Sequence, residues 1–64
     1  MYNCKLTNDT TETSVVFTLL ENHADLVLIE EFDNRGLLSS TTVGPIEDGE
    51  KLKEKFLAEG FKEI

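Results

Sequence analysis

Apolar and polar residues alternate from the start of the chain. Tyr2, Cys4 and Leu6 are separated by Asn3 and Lys5, the period of a half-buried strand. Residues 7–13 carry no apolar side chain and read as a solvated loop. From Ser14 to Leu20 nearly every residue is β-branched, aromatic or leucine, the composition of a second strand. Val15, Phe17 and Leu19 share one face of it, and Val16 and Leu20 the other. The polar break at residues 21–25 follows, where a tight turn on Asn22-His23 pairs Phe17 with Leu28 and Leu19 with Leu26. The third strand is again two-sided, with Val27 and Ile29 opposite Leu26 and Leu28. Asp33-Asn34-Arg35-Gly36 signals a type I turn with a bulge at Gly36, since Asp can bond the backbone ahead and Gly accepts a left-handed conformation. Leu37 to Val43, rich in Ser and Thr, suits an edge strand facing water.

Gly44-Pro45 closes the sheet and opens a helix, with Pro45 expected at the first helical position, where it lacks no needed N–H. At the helical period, Ile46, Gly49, Leu52, Phe56 and Leu57 fall within an arc of about 140°, interrupted only by Lys53. Gly49 on that arc lets the helix approach the sheet closely. Glu47, Asp48 and Glu50 sit near the helix N-terminus, where the dipole favours carboxylates. Gly60 fits a left-handed C-cap, with Phe61 folding back onto Phe56.

These elements predict one α+β domain spanning residues 1–64: a small four-stranded antiparallel meander (ββββα) with one C-terminal helix packed on one face. The strands are expected at about 2–7, 14–21, 25–33 and 37–43, and the helix at about 45–59. Sixty-four residues leave room for one small core, because a chain of this size buries only roughly 60% of its unfolded surface. Thirteen Asp and Glu against six Lys and Arg give a net charge of −7, a field that repels nucleic acid and attracts basic surfaces. The hydrophobic share of 39% suits a folded domain rather than an acidic tail. The longest apolar run, Leu26 to Ile29, is far shorter than the roughly 20 residues that span a bilayer. With no basic, apolar leader visible, a cytoplasmic protein is expected.

The candidate chemistry is sparse. The one cysteine, Cys4, reads as a small buried hydrophobe, and a Cys4–His23 nucleophile pair would lack a third orienting group. One histidine far from one cysteine does not make a metal site, so no metal and no cofactor are expected. Glu30 and Glu31 point to opposite sides of a strand and cannot act on one bond. There is no phosphate loop, no hydrolytic triad spacing and no basic-aromatic patch, so the chain does not read as an enzyme.

What remains is surface. One helix covers one side of the sheet, so Val16, Leu20, Val27, Ile29 and Leu38 are expected to form an apolar patch on the other, and such patches mark partners. Glu30, Glu31, Asp33, Glu47, Asp48, Glu50 and Glu54 form the candidate acidic rim, selecting a partner with a basic surface. The expected function is a protein-binding module, an inhibitor or regulator that occludes a partner surface. The alternatives are a DNA mimic that blocks a nucleic-acid-binding protein, and a structural homodimer with no distinct ligand. Replacing Ile29 by Glu is then expected to disable binding and spare the fold.

Overall fold

Alternating strands and one amphipathic helix build the chain in the order β1 (Cys4–Asn8), β2 (Thr13–Leu19), β3 (Leu26–Phe32), β4 (Leu38–Pro45), α1 (Ile46–Ala58) and β5 (Lys62–Glu63). The computed structural model describes residues 3–20, 22 and 25–64. Tyr2 and His23 lie outside the described residues, and with them the start of the first expected strand and the Cys4–His23 pair. The architecture is α+β: one antiparallel sheet in the order β4-β3-β2-β1-β5, and one helix. The fifth strand was not expected from the sequence. Since every neighbouring pair is antiparallel, β4 and β5 run the same way at opposite edges, and α1 is the crossover that parallel strands require. Ile64 continues the β5 pairing by donating its N–H to the Lys5 carbonyl at 2.9 Å.

Local chemistry fixes the connections. Between β1 and β2, the buried Asn8 accepts at Oδ1 from the N–H groups of Thr10 and Thr11, at 2.9 and 3.3 Å. After β3, Gly36 donates to the Asp33 carbonyl at 3.0 Å, and Asp33 donates to the Leu37 carbonyl at 2.9 Å. Gly36 holds φ at +80°, so this is a type I turn with a glycine bulge. Pro45 ends β4 and caps the helix with extended backbone (φ −60°, ψ 150°), one position earlier than the helical site expected of it. At the other end Phe61 donates to the Phe56 carbonyl and Gly60, at φ +106°, to that of Leu57, the two bonds of a Schellman cap. The rings of Phe56 and Phe61 lie 4.9 Å apart, closing the cap with an apolar contact.

The core lies between the helix and one sheet face. Leu6, Val15, Phe17, Val27 and Ile29 are buried there, and Cys4, Ile46, Leu52, Phe56 and Phe61 pack against them. This overturns the expected facing of β3. Val27 and Ile29, at 0% and 4% exposure, lie under the helix and not on the open patch. The cause is register. Phe17 faces Ile29 and Leu19 faces Val27, one position away from the expected pairs with Leu28 and Leu26; the expected turn on Asn22-His23 reaches outside the described residues. A slip of one position turns every side chain of a strand to the other face. Leu26 and Leu28, expected in the core, therefore point away from the helix.

Candidate functional site

The open sheet face can be built row by row from the strand register. Lys5, Val16, Glu30 and Thr41 stand side by side across β1 to β4. Thr18, Leu28 and Val43 form the next row, and Ser14, Phe32 and Leu38 the row on the other side. Leu26 and Pro45 close one end, beside Leu20, whose N–H donates to the Leu26 carbonyl at 3.3 Å. The apolar groups gather over β2, β3 and β4, where Val43 is 53% and Leu38 52% exposed and Val16, Leu28 and Phe32 are half-buried. No element among the described residues covers this face. Between Val16 and Phe32 a hollow of about 280 Å³ opens, lined also by Lys5, Ser14 and Gly36.

Of the residues the sequence assigned to this patch, the structure places Val16, Leu20 and Leu38 on the open face, Leu38 and Leu20 at its opposite ends, and buries Val27 and Ile29. The patch also holds Leu26 and Leu28, which the expected register placed in the core, and Phe32 and Val43, which the sequence pattern assigned to neither face. One sequence signal marked the region: Gly36 to Ile46 contains no charged residue, in a chain that is 30% charged.

The candidate acidic residues divide. Glu30 lies within the open face opposite Thr41, and Glu31 faces the helix side opposite Ser40. Asp33 sits in the turn that leads into β4, where its Oδ1 accepts from the N–H groups of Arg35 and Leu37, each at 2.9 Å. Glu47 and Asp48 occupy the first turn of α1, directly after β4. These five surround β4. Glu50 and Glu54 lie farther along the helix with Lys53 and Leu57, around a separate shallow hollow of about 270 Å³. At the opposite edge charges of both signs meet: Lys5 on β1 and Lys62 on β5, with Lys53 Nζ paired to Glu63 Oε1 at 3.0 Å. Five carboxylates thus gather around β4, with Arg35 in the turn before it, whereas around β5 the lysines stand beside Glu63.

Cys4 is half-buried near Lys53 and Glu63. Burial pushes its thiol above the ordinary value of 9.0; the nearby Lys53 charge and a hydrogen bond from Lys53 act against that shift, and Glu63 adds to it. A thiol held protonated is a poor nucleophile. No group of three or more metal-ligating side chains occurs among the described residues, and no described helix is long and apolar enough to cross a membrane. Compared with known families, curated proteins and solved structures, the chain matches no family model, no protein and no structure.

Proposed function

We propose that this chain is a protein-binding module that regulates or inhibits a partner by occluding its surface, using the open sheet face over β3 and β4. The observation that supports this reading is the juxtaposition of Val43 and Leu38, each about half exposed, with Val16, Leu28 and Phe32 on a face that no described element covers. Burying such a contiguous apolar surface drives association. Glu30 within the face, and Asp33, Glu47 and Asp48 at the two ends of β4, favour a partner with basic groups, and they speed encounter more than they add affinity. The same charge, −7 on each copy, disfavours a second copy of the chain as the occupant. Mimicry of a nucleic-acid backbone has less support, because Lys51 and Lys55 interrupt the carboxylates along α1.

The test is a pair of variants. Proteins retained by the wild-type chain are identified, purified and titrated against it calorimetrically. Leu28→Glu, on the open face, is expected to abolish binding and keep the circular dichroism spectrum. Ala58→Glu, on the exposed side of the helix, is expected to leave affinity unchanged. Undiminished binding by the Leu28 variant refutes the assignment.

A further inference from the structure

The edge of the sheet beside that patch carries backbone groups whose direction the register determines. Ile46 donates its N–H to the Asp25 carbonyl at 3.0 Å, continuing the β3–β4 ladder by one step beyond Leu26 opposite Pro45. Bonded and non-bonded pairs alternate along an antiparallel ladder. Val27 with Gly44, Ile29 with Thr42 and Glu31 with Ser40 are then the bonded pairs, and Leu28 with Val43 and Glu30 with Thr41 are not. The far side of β3 gives the same phase, since Leu20 bonds to Leu26 and so turns the even-numbered positions of β3 toward β2. The N–H and C=O groups of Thr41 and Val43 consequently point outward from the sheet. Pro45 occupies the next outward position, where the N–H it lacks would have no partner within the sheet.

Sheet edges are ordinarily guarded by charged side chains, proline or bulges. In β4 the guards stand only at the ends. Pro45 closes one, and at the other the register shifts between Glu31 and Phe32, leaving Ser39 as an extra residue whose Oγ donates to the Glu31 carbonyl at 3.1 Å. Between them Ser40 to Gly44 hold no charge and no proline. The carboxylates at its ends are Asp33, with Arg35 beside it, before β4 and Glu47 and Asp48 after it; Glu30 and Glu31 lie on the adjoining strand, opposite Thr41 and Ser40.

We propose that the outer edge of β4 is a strand-addition site, taking an extended segment of the partner that carries lysine or arginine at its ends and bonds to the backbone of Thr41 and Val43. This rests on the protein-binding reading above and specifies its mode. Main-chain bonds at the edge supply affinity, alternate side chains of the added strand extend over the apolar rows of Val43 and Leu28, and its cationic ends meet the flanking carboxylates. A second copy of β4 fits less well, because a two-fold edge contact sets both copies' Glu30, Glu31, Glu47 and Asp48 around one seam.

The probe is a nine-residue peptide, Thr-Val-Thr-Val-Thr with two lysines at each end, titrated into the full chain while amide exchange is followed by NMR. Slowed exchange is expected at Thr41 and Val43, about tenfold once free peptide is about tenfold above its Kd. Ser40, Thr42 and Gly44, already bonded toward β3, should change little. Replacing the four lysines of the peptide by glutamates should remove the effect. Val43→Pro should remove it as well and leave β3–β4 pairing intact, because proline is tolerated where the N–H faces outward; Thr41→Pro, at the other outward position, serves if the first variant does not fold.

Exchange at Thr41 and Val43 that ignores the peptide, or protection that survives both proline variants, overturns the proposal. Protection present without peptide and growing with protein concentration overturns it in favour of a second copy. Methyl shifts at Val16 and Leu28 without amide protection would refute strand addition and leave the open face as the docking site. Edge protection that persists in Leu28→Glu without such methyl shifts would do the reverse, supporting the edge and refuting the face.

Discussion

Along β3 the two faces of the sheet are nearly equal in hydrophobicity and unequal in fate. Val27 and Ile29 are sealed beneath α1, whereas Leu26 and Leu28, from the same strand, are only half-buried on the side without a helix. No difference between valine, isoleucine and leucine selects the buried pair. The selection is geometric: the register of β3 against β2 sets Ile29 beside Phe17 and Val27 beside Leu19, and β4 inherits that phase. A two-sided apolar strand states that both faces matter without stating which is core.

The sharpest way to break this comparison is to charge each face in turn. Ile29→Glu places an unpaired carboxylate in the sealed core, a penalty of several kcal/mol, comparable with the whole stability of about 5 kcal/mol expected of a small domain. It should unfold the chain, contrary to the expectation drawn from sequence that this residue faces a partner. Leu28→Glu should shift stability by no more than about 1 kcal/mol. Urea titrations followed by circular dichroism decide between them, and the opposite ranking would mean the two faces of β3 are exchanged.

The helix offers the same contrast at smaller scale. Phe56 packs against the sheet and on Phe61, whereas Leu57 is 41% exposed although it lies on the same predicted apolar arc. Phe56→Ala should cost about 3 kcal/mol, the low end for a large aromatic truncation because the site is not fully sealed. Leu57→Ala should stay within about 0.5 kcal/mol. Equal losses at the two positions would show that the arc, rather than the contact, carries the stability.

What was legible in the sequence, and what was not, follows the range of the interaction involved. The Asp33–Gly36 turn and the Gly60 cap depend on neighbouring residues, and their geometry appears in the backbone bonds. Val16, Leu20 and Leu38 were placed on the open face because β2 keeps its phase and Leu38 meets Phe32 across the bulge. Leu28 was misplaced, and Phe32 and Val43 were given no face, because facing depends on the register between strands, which residue preferences leave open, and for β4 also on the bulge at Ser39. Strand β5 was invisible for another reason. Lys62 and Glu63 are charged, show no periodicity and join the sheet only through backbone pairing with Thr7 and Leu6. The acidic residues were visible as composition, but their division between the β4 surround and the outer helix required the fold.

A smaller effect tests how the helix is held over its face. Gly60 adopts φ +106°, a region that side chains disfavour, and a Cβ there would stand 3.8 Å from Asn8 Nδ2, an ordinary contact. Gly60→Ala should therefore cost about 1–2 kcal/mol through backbone strain alone. A thermal melt against wild type measures it, and an unchanged midpoint would mean that the end of α1 does not depend on the left-handed cap.

The smallest expected effect is electrostatic and belongs to the covered face. Burial raises the Cys4 thiol above its ordinary value of 9.0, with Lys53 opposing and Glu63 reinforcing the shift. The folded state thus holds the proton more tightly than the unfolded chain. By linkage, the stability this contributes is complete below 9.0, where both states are protonated, and is lost as pH rises through the folded value. Stability measured from pH 7 to 11 should decline more steeply for wild type than for Cys4→Ala, which has no thiol to titrate. Lys53→Met removes the opposing charge and hydrogen bond, so it should raise the thiol value further and extend the decline to higher pH. Identical pH profiles for wild type and Cys4→Ala would show that the thiol is as well solvated in the folded chain as in the unfolded one, and that the covered face is open at its β1 end.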